Sequence, residues 1–449
     1  MKLIVVLMFV VVLPVYASLV AVVDSGVDTS HQDLLPKIWT NSIDSVENGI
    51  DDDQNGYMDD IFGWNFVDNN NLVFDRSHVN KVTDDLKKFM ILYSKYQLGT
   101  VTSDEISWLR EKINDNELMG LIGSYGGYAH GTHVAGILSK NSSNSILSVK
   151  FLKSGFSSIF GLHVNKNDVE VSEKDPRVEL DEAARGSVDR SIVMAEYING
   201  HNADVANGSY GTSYEQVFGF ILEQIKELYG EDATEDMAHE LTRHYFSRWI
   251  EYSSEFVETA GNTLFVFAAG NESSNNDEFP CTPANIDAAN VITVAASKGR
   301  GDLAKFSNYG VSKVHIAAPG VAISSSVPSA EENLLLPMSG TSQAAPFVSN
   351  VAGRVKDANS MLNPGDIKQI LMETVDVKEF LKGKVMSGGI VNSERALYAA
   401  KLSKDMGINE AVAMSKTAVK DIVSEEEKVL PNFVKIKNIV RSLPSPDFK

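Results

Sequence analysis

Four short strings in this 449-residue sequence set reactive side chains among small residues. The first is Met338-Ser339-Gly340-Thr341-Ser342-Gln343-Ala344-Ala345-Pro346-Phe347-Val348. Gly340 permits a tight turn, and Ala344, Ala345, Val348 and Val351 follow at helical spacing, so Ser342 is expected at the mouth of a helix, its hydroxyl facing the positive end. Pro346 suits such a place: its missing N–H would have bonded the carbonyl of Ser342, a small loss where the helix only starts. The second string, His130-Gly131-Thr132-His133-Val134-Ala135-Gly136-Ile137-Leu138, again reads as a small-residue helix start. Its two histidines could suggest a metal pair, but no Glu lies between them as in the zinc-peptidase motif. The third runs from Leu19 to Val23 and ends in Asp24, the pattern of a buried parallel strand that delivers an acid, although such an acid also caps turns. In the fourth, Thr263 to Ala269 is a buried strand followed by Gly270-Asn271, and an Asn after Gly also reads as a turn. A hydroxyl, an imidazole, a carboxylate and an amide are the groups that nucleophilic acyl transfer requires: nucleophile, base, orienting acid and oxyanion donor.

The elements between these strings have legible boundaries. Leu86, Phe89, Met90, Tyr93 and Tyr96 make one helical stripe, and Thr102-Ser103-Asp104-Glu105 has capping-box spacing ahead of Ile106, Leu109 and Ile113. Ile146 to Leu152 reads as a strand, and 155–187 is polar, acidic and poorly periodic. Helical patterns cover about 216–230 and 234–260, with Gly230 and Gly261 placed as C-caps. Asn363-Pro364-Gly365-Asp366-Ile367 opens another helix, and residues 404–449 are Lys- and Glu-rich with weak amphipathic character. There are no internal repeats.

The Ser342 string resembles the G-T-S-x-A-x-P nucleophile motif of the subtilisin-like serine peptidases. Asp24-Ser25-Gly26 resembles the family's D-[ST]-G segment, His130-Gly131-Thr132-His133-Val134-Ala135-Gly136 its H-G-T-H-V-A-G, and Ala268-Ala269-Gly270-Asn271 its A-A-G-N, in the order Asp, His, Ser along the chain. The resemblance spans about 19–402. It implies an α/β fold, a parallel sheet sandwiched by helices, with a triad of Asp24, His130 and Ser342, an oxyanion donor in Asn271, and substrate-binding segments Ser209-Tyr210-Gly211 and Ala268-Ala269-Gly270. In Asp204-Val205-Ala206-Asn207-Gly208, Gly208 takes a place usually held by a larger residue. Relative to a minimal family member, about 66–126, 155–187 and 212–247 look inserted, the first as a flap beside the site or as surface decoration. Phe279-Pro280 corresponds to a family X-Pro turn that could be cis. His31 and His133 then read as structural. The implied activity is an endopeptidase acting on protein or peptide substrates through an acyl-enzyme. Two alternatives stand beside it: a catalytically silent binding or scaffold protein on the same fold, and a sedolisin-type peptidase, which carries a glutamate where His130 stands.

Composition narrows partners and setting. Forty basic against sixty acidic residues, a formal charge of −20, disfavour nucleic acid or an anionic membrane surface. A single cysteine, Cys281, allows no internal disulfide, and a monomer is expected. Residues 1–17 read as a secretory signal: Lys2, an apolar run, Pro14, then Val15-Tyr16-Ala17 as cleavage site. Export is thus expected, with a domain over 18–402 and a helical or mobile tail over 403–449. The membrane enters only if the apolar start stays uncleaved. In 48–60 the alternate acids around Gly56 match the first nine positions of an EF-hand-like calcium loop, with Asp51, Asp53, Asn55 and Asp59 as side-chain ligands and the Tyr57 carbonyl as a further one. Phe62 stands where a bidentate Glu is usual, and a solvated acidic turn is the alternative.

Overall fold

The computed structural model of the chain describes residues 17–153 and 175–422. Residues 1–16, 154–174 and 423–449, which hold most of the expected signal, part of an expected insertion and most of the expected tail, lie outside the described residues.

Runs of Val, Ala, Ile and Phe too short for helices form a sheet buried on both faces. From one edge its order is Gly63–Asn65, Ser145–Lys150, Leu19–Asp24, Val205–Gly208, Leu264–Ala268, Val291–Lys298, Ile316–Pro319, Gly389–Ile390 and Asp376–Val377. All neighbours are parallel except the last pair. Strand alternation sends Val20, Val22 and Val266 to one face and Ala21, Val23, Phe265 and Phe267 to the other. Helices Asn116–Ser139, Thr341–Ala358, Pro364–Glu373 and Ser393–Leu402 cover the first face. Pro176–Gly200, Tyr214–Tyr229 and Glu235–Thr259 cover the second. This is the expected α/β sandwich.

Gly208 has a packing reason. A Cβ there would lie 2.6 Å from the ring of Phe267 and 3.1 Å from that of Tyr210, so the aromatic pair on the neighbouring segments occupies the space a larger residue would need.

Several elements differ from expectation. The residues 176–187 are the first half of the Pro176–Gly200 helix, not irregular surface: Ala184 and Val188 are buried on the sheet and continue through Ser191, Ala195 and Ile198. Within 176–187 the only buried side chain is the small Ala184, which is why the acidic composition hides the stripe. The Glu235–Thr259 helix closes at Ala260, before the expected glycine. The cis peptide is Thr282–Pro283, not Phe279–Pro280. Over residues 403–422 the chain packs on the domain: helix Ile408–Ala418 packs Ala411 and Val412 into the fold, and Arg395 bonds the Val419 carbonyl and the Asp421 carboxylate.

The inserted helices Asp84–Leu98 and Ser103–Lys112 form as expected, the second with its Thr102–Glu105 capping box. They are not loose decoration. Leu86, Phe89 and Leu109 share one apolar cluster with Tyr125 and Tyr128 and with Val327 and Leu336 of the segment leading to Ser342.

Candidate active site

Asp24 ends its strand, and its Oδ1 accepts hydrogen bonds from Ser25 N–H at 2.7 Å and from His130 Nδ1–H at 2.7 Å. Both side chains are buried. The close fit depends on Gly131, because a Cβ there would stand 2.3 Å from the Gly26 carbonyl oxygen and 3.1 Å from Asp24 Cβ. Thr132 Oγ1 accepts from Asp28 N–H at 3.0 Å and completes the interlock of the two motifs.

His130 does not open a helix. It sits in the middle of Asn116–Ser139, a helix capped fifteen residues earlier by the Asp115 side chain on Leu118 N–H. Before His130, Tyr125 and Tyr128 hold the helix by packing and by donating their hydroxyls to the carbonyls of Pro328 and Asp75. The imidazole is therefore oriented by Asp24 and not by a helix N-terminus.

Ser342 does lie in the first turn of its helix, Thr341–Ala358. Gly340 is extended, with φ 166°, so the chain enters through close approach and not through a left-handed turn. Its N–H donates to the Gly320 carbonyl at 2.8 Å. Pro346 withholds the N–H that would have bonded Ser342 carbonyl, and Ser209 Oγ donates to that carbonyl instead, at 2.8 Å. The Ser342 hydroxyl in turn donates to the Ser209 carbonyl at 3.1 Å. Asn207 supports this clasp from below, donating to Ser209 Oγ at 2.9 Å and accepting from Ser349 Oγ of the same helix at 2.8 Å.

Asn271 follows the end of the neighbouring strand. Its Oδ1 accepts from Thr341 N–H at 2.9 Å and from Thr341 Oγ1 at 3.0 Å, which fixes the amide's orientation beside the start of the Ser342 helix. Sequence reasoning passed over the supports: Glu272 accepts from Asn271 N–H at 2.9 Å and from Asn308 Nδ2 at 2.7 Å, while Asn308 Oδ1 accepts from the N–H groups of Glu272 and Ser274. Burial raises the Glu272 pKa above the ordinary carboxylate value. No short motif marks these partners, which come together only in space.

The expected substrate segments leave adjacent parallel strands, with Gly208 paired to Phe267. Tyr210 packs against Phe151 and Phe267, and a Cβ on Gly211 would lie 3.0 Å from the Thr282 carbonyl oxygen and 3.2 Å from Cys281 Sγ. Ala268 and Gly270 flank the strand end, whereas Ala269 is fully buried among Ala295, Val314 and Ala317.

The inserted helices touch the nucleophile loop directly. Ser339 Oγ donates to Gln97 Oε1 at 2.5 Å and accepts from Ala322 N–H at 2.8 Å, and Lys298 Nζ donates to the Leu98 carbonyl at 3.1 Å.

The acidic loop gathers a different set than its spacing implies. Carboxylate oxygens of Asp44, Asp51 and Asp53 lie within 4.8 Å of one another. Asp44, outside the motif, is buried, and one of its oxygens has no hydrogen-bond partner while the other accepts from Asp59 N–H at 2.8 Å. Burial and the nearby Asp60 and Asp59 carboxylates raise the Asp44 pKa. Asp59 instead holds the loop neck, its oxygens accepting from Asn48 and Gly49 N–H at 2.9–3.2 Å. Asn55 Oδ1 accepts from Tyr57 N–H at 2.7 Å, and the Tyr57 ring packs on Trp64 and Tyr197. The three clustered carboxylates with one orphaned buried oxygen fit a hard divalent cation.

The model described as "Subtilase family" matches residues 17–396. The chain belongs to the subtilase family. Curated relatives include "Subtilisin-like protease 1" of Plasmodium falciparum (isolate 3D7), 24% identical over 418 residues, covering 89% of this chain and 46% of the relative. The "Extracellular basic protease" of Dichelobacter nodosus is 37% identical over 144 residues, 30% of this chain and 23% of the relative. This subtilase thus spans about half or less of the length of these relatives. Among solved structures, a cold-adapted subtilisin-like serine proteinase is similar with a TM-score of 0.41 and 20% identity, over 82% of this chain and 87% of the other. Among the described residues no helix is long and apolar enough to cross a membrane.

His133 and His315 give the subtilase an acid limit. His133 Nε2–H donates to the carbonyls of Ile323 and Leu336, 3.0 Å each, clamping the two strands Ile323–Ser326 and Leu335–Met338 that precede the nucleophile. Burial, helped by nearby His130, pushes its pKa down to about 3. Burial, with the Lys368 charge, does the same to His315, whose Nδ1 accepts from Thr293 N–H. Because these folded pKa values lie below the unfolded 6.5, the stabilisation is full above that value and is lost as pH falls from 6.5 towards 3. Each histidine should contribute a slope of up to about 1.4 kcal/mol per pH unit. Urea denaturation between pH 7 and 4.5 should show it, with the slope reduced by about one proton in His315→Gln. An unchanged slope in that variant would remove His315 from the account.

Proposed function

We propose that this chain is an exported serine endopeptidase in which Asp24, His130 and Ser342 form the triad and Asn271 donates to the oxyanion. The observation that carries the reading is the 2.7 Å bond from His130 Nδ1 to the buried Asp24, formed between two motifs 106 residues apart. With Nδ1–H committed to Asp24, Nε2 is the basic nitrogen. The Ser342 hydroxyl leaves the Ser209 carbonyl, gives its proton to His130 Nε2 and attacks the peptide carbonyl. Oxyanion charge is met by the Asn271 amide and the backbone N–H of Ser342, in a region where Thr341 holds Asn271 in place. His130 then protonates the leaving amine, and water repeats the sequence on the acyl-enzyme. A fluorophosphonate should label Ser342 alone, and labelling should vanish in Ser342→Ala and fall steeply in His130→Ala. Undiminished labelling in His130→Ala would refute the triad, and an unlabelled wild type would favour a silent scaffold.

We further propose that Asp44, Asp51 and Asp53 hold a structural calcium ion. Three carboxylates converging without a cation repel one another, and Asp44 keeps a buried oxygen open. Binding to the native state alone stabilises by RT ln(1 + [L]/Kd), about 2.7 kcal/mol at a hundredfold excess. Chelation should therefore lower Tm and hasten self-digestion, while Asp44→Asn and Asp53→Ala should melt low with or without millimolar calcium. If wild type ignored chelator and both variants melted with it, the loop would be an acidic turn only.

A further inference from the structure

The amide of Ser18 is held in an unusual way. Ser18 is fully buried, while Ala17 before it is exposed. Its N–H donates to Asp357 Oδ1 at 2.7 Å, and its hydroxyl lies 2.7 Å from the same oxygen and 2.9 Å from the Gly353 carbonyl. Ser143 Oγ donates to Asp357 Oδ2. Among the described residues no Lys, Arg or His side chain comes within 4.0 Å of the Asp357 carboxylate, so its partners are neutral. The next amide, Leu19 N–H, donates to Asp204 Oδ2 at 3.1 Å, and Asp204 lies 3.9 Å from Lys356 Nζ. Two carboxylates therefore converge on two successive backbone nitrogens, with one lysine beside them.

The sequence expects leader cleavage at this bond. Resting on the reading of an exported enzyme, we propose that hydrolysis between Ala17 and Ser18 creates an α-ammonium that pairs with Asp357. Water supplies hydroxyl to the Ala17 carboxylate and a proton to the Ser18 nitrogen, and a leader-cleaving endopeptidase catalyses the step. The amide that gave Asp357 one proton becomes an ammonium that offers three, in a place already shaped for it. The consequence is mechanical. The ion pair ties the start of the strand that ends at Asp24 to the last turn of the helix that begins beside Ser342, so processing locks the two catalytic elements together at their far ends.

The pH response has a defined sign. An ammonium that gains a carboxylate partner has its folded pKa raised above the free value of about 7.7–8.0. Its stabilisation is complete below that value and lost as pH rises through the folded one. Asp357, Asp204 and Lys356 are the charged groups that face it.

N-terminal sequencing of the exported protein comes first. Ser18 as first residue is expected, and any other terminus overturns the processing step without touching the peptidase reading, which fluorophosphonate labelling checks separately. A thermal double-mutant cycle then compares chains beginning at Ser18 with chains retaining Ala17, each with Asp357 or Asp357→Asn. At pH 7 the substitution should lower Tm by more in the Ser18 form, and the excess should disappear at pH 10. Equal losses in both forms overturn the ion pair. Should the variant not fold in either form, acetylation of the wild-type α-amine followed against pH decides: a midpoint above about 8 supports the pair, and one at or below it refutes the pair.

Discussion

The carbonyl of Ser342 lacks its helical donor because Pro346 has no N–H, and the hydroxyl of Ser209 fills the vacancy. A buried carbonyl left unbonded would cost roughly 1–3 kcal/mol, so this contact binds the Val205–Gly208 strand end to the nucleophile helix with real strength. Thr341 does the same for the adjacent strand by donating to Asn271. A helix start has open backbone groups in any protein. Here they are closed by side chains from the loops that flank Ser342, so the proposed site is assembled by the same bonds that dock the helix on the sheet.

Those bonds need a rigid frame on both sides. The sheet supplies it through parallel neighbours buried on both faces, with Val20 and Val22 under the His130 and Ser342 helices and Phe265 and Phe267 under the opposite layer. The inserted helices complete the frame on the open side. They share an apolar cluster with the His130 helix and with Leu336, and Gln97 grips Ser339 three residues before Ser342. These helices couple the His130 helix and the segment before Ser342 through packing.

Much of this was legible in the sequence, and for a physical reason. Asp24 and Asn271 follow apolar runs too short and too uniformly apolar for anything but buried strands, and Ser342 precedes a clear helical stripe. What could not be read were relations set by tertiary packing. The small residues from His130 read as a helix start, yet the helix begins at Asn116 and two tyrosines anchored by their hydroxyls pack it in place before His130. The first half of Pro176–Gly200 buries only Ala184 before Val188, too little apolar surface for a hydropathy pattern to make conspicuous. Asp44 joins Asp51 and Asp53 from outside the loop's repeat, while Asp59, inside it, serves the backbone. Glu272 and Asn308 support Asn271 across 36 residues.

The role proposed for Asn271 is charge stabilisation at an oxyanion by an amide that Thr341, at the start of the Ser342 helix, holds in place. Steady-state kinetics of Asn271→Leu on a peptide substrate test it most directly. The account predicts a fall in kcat by about 10²–10³, the range for loss of one such donor in subtilisin, with KM little changed. A variant with near-normal kcat, or one in which only KM moved, would contradict it.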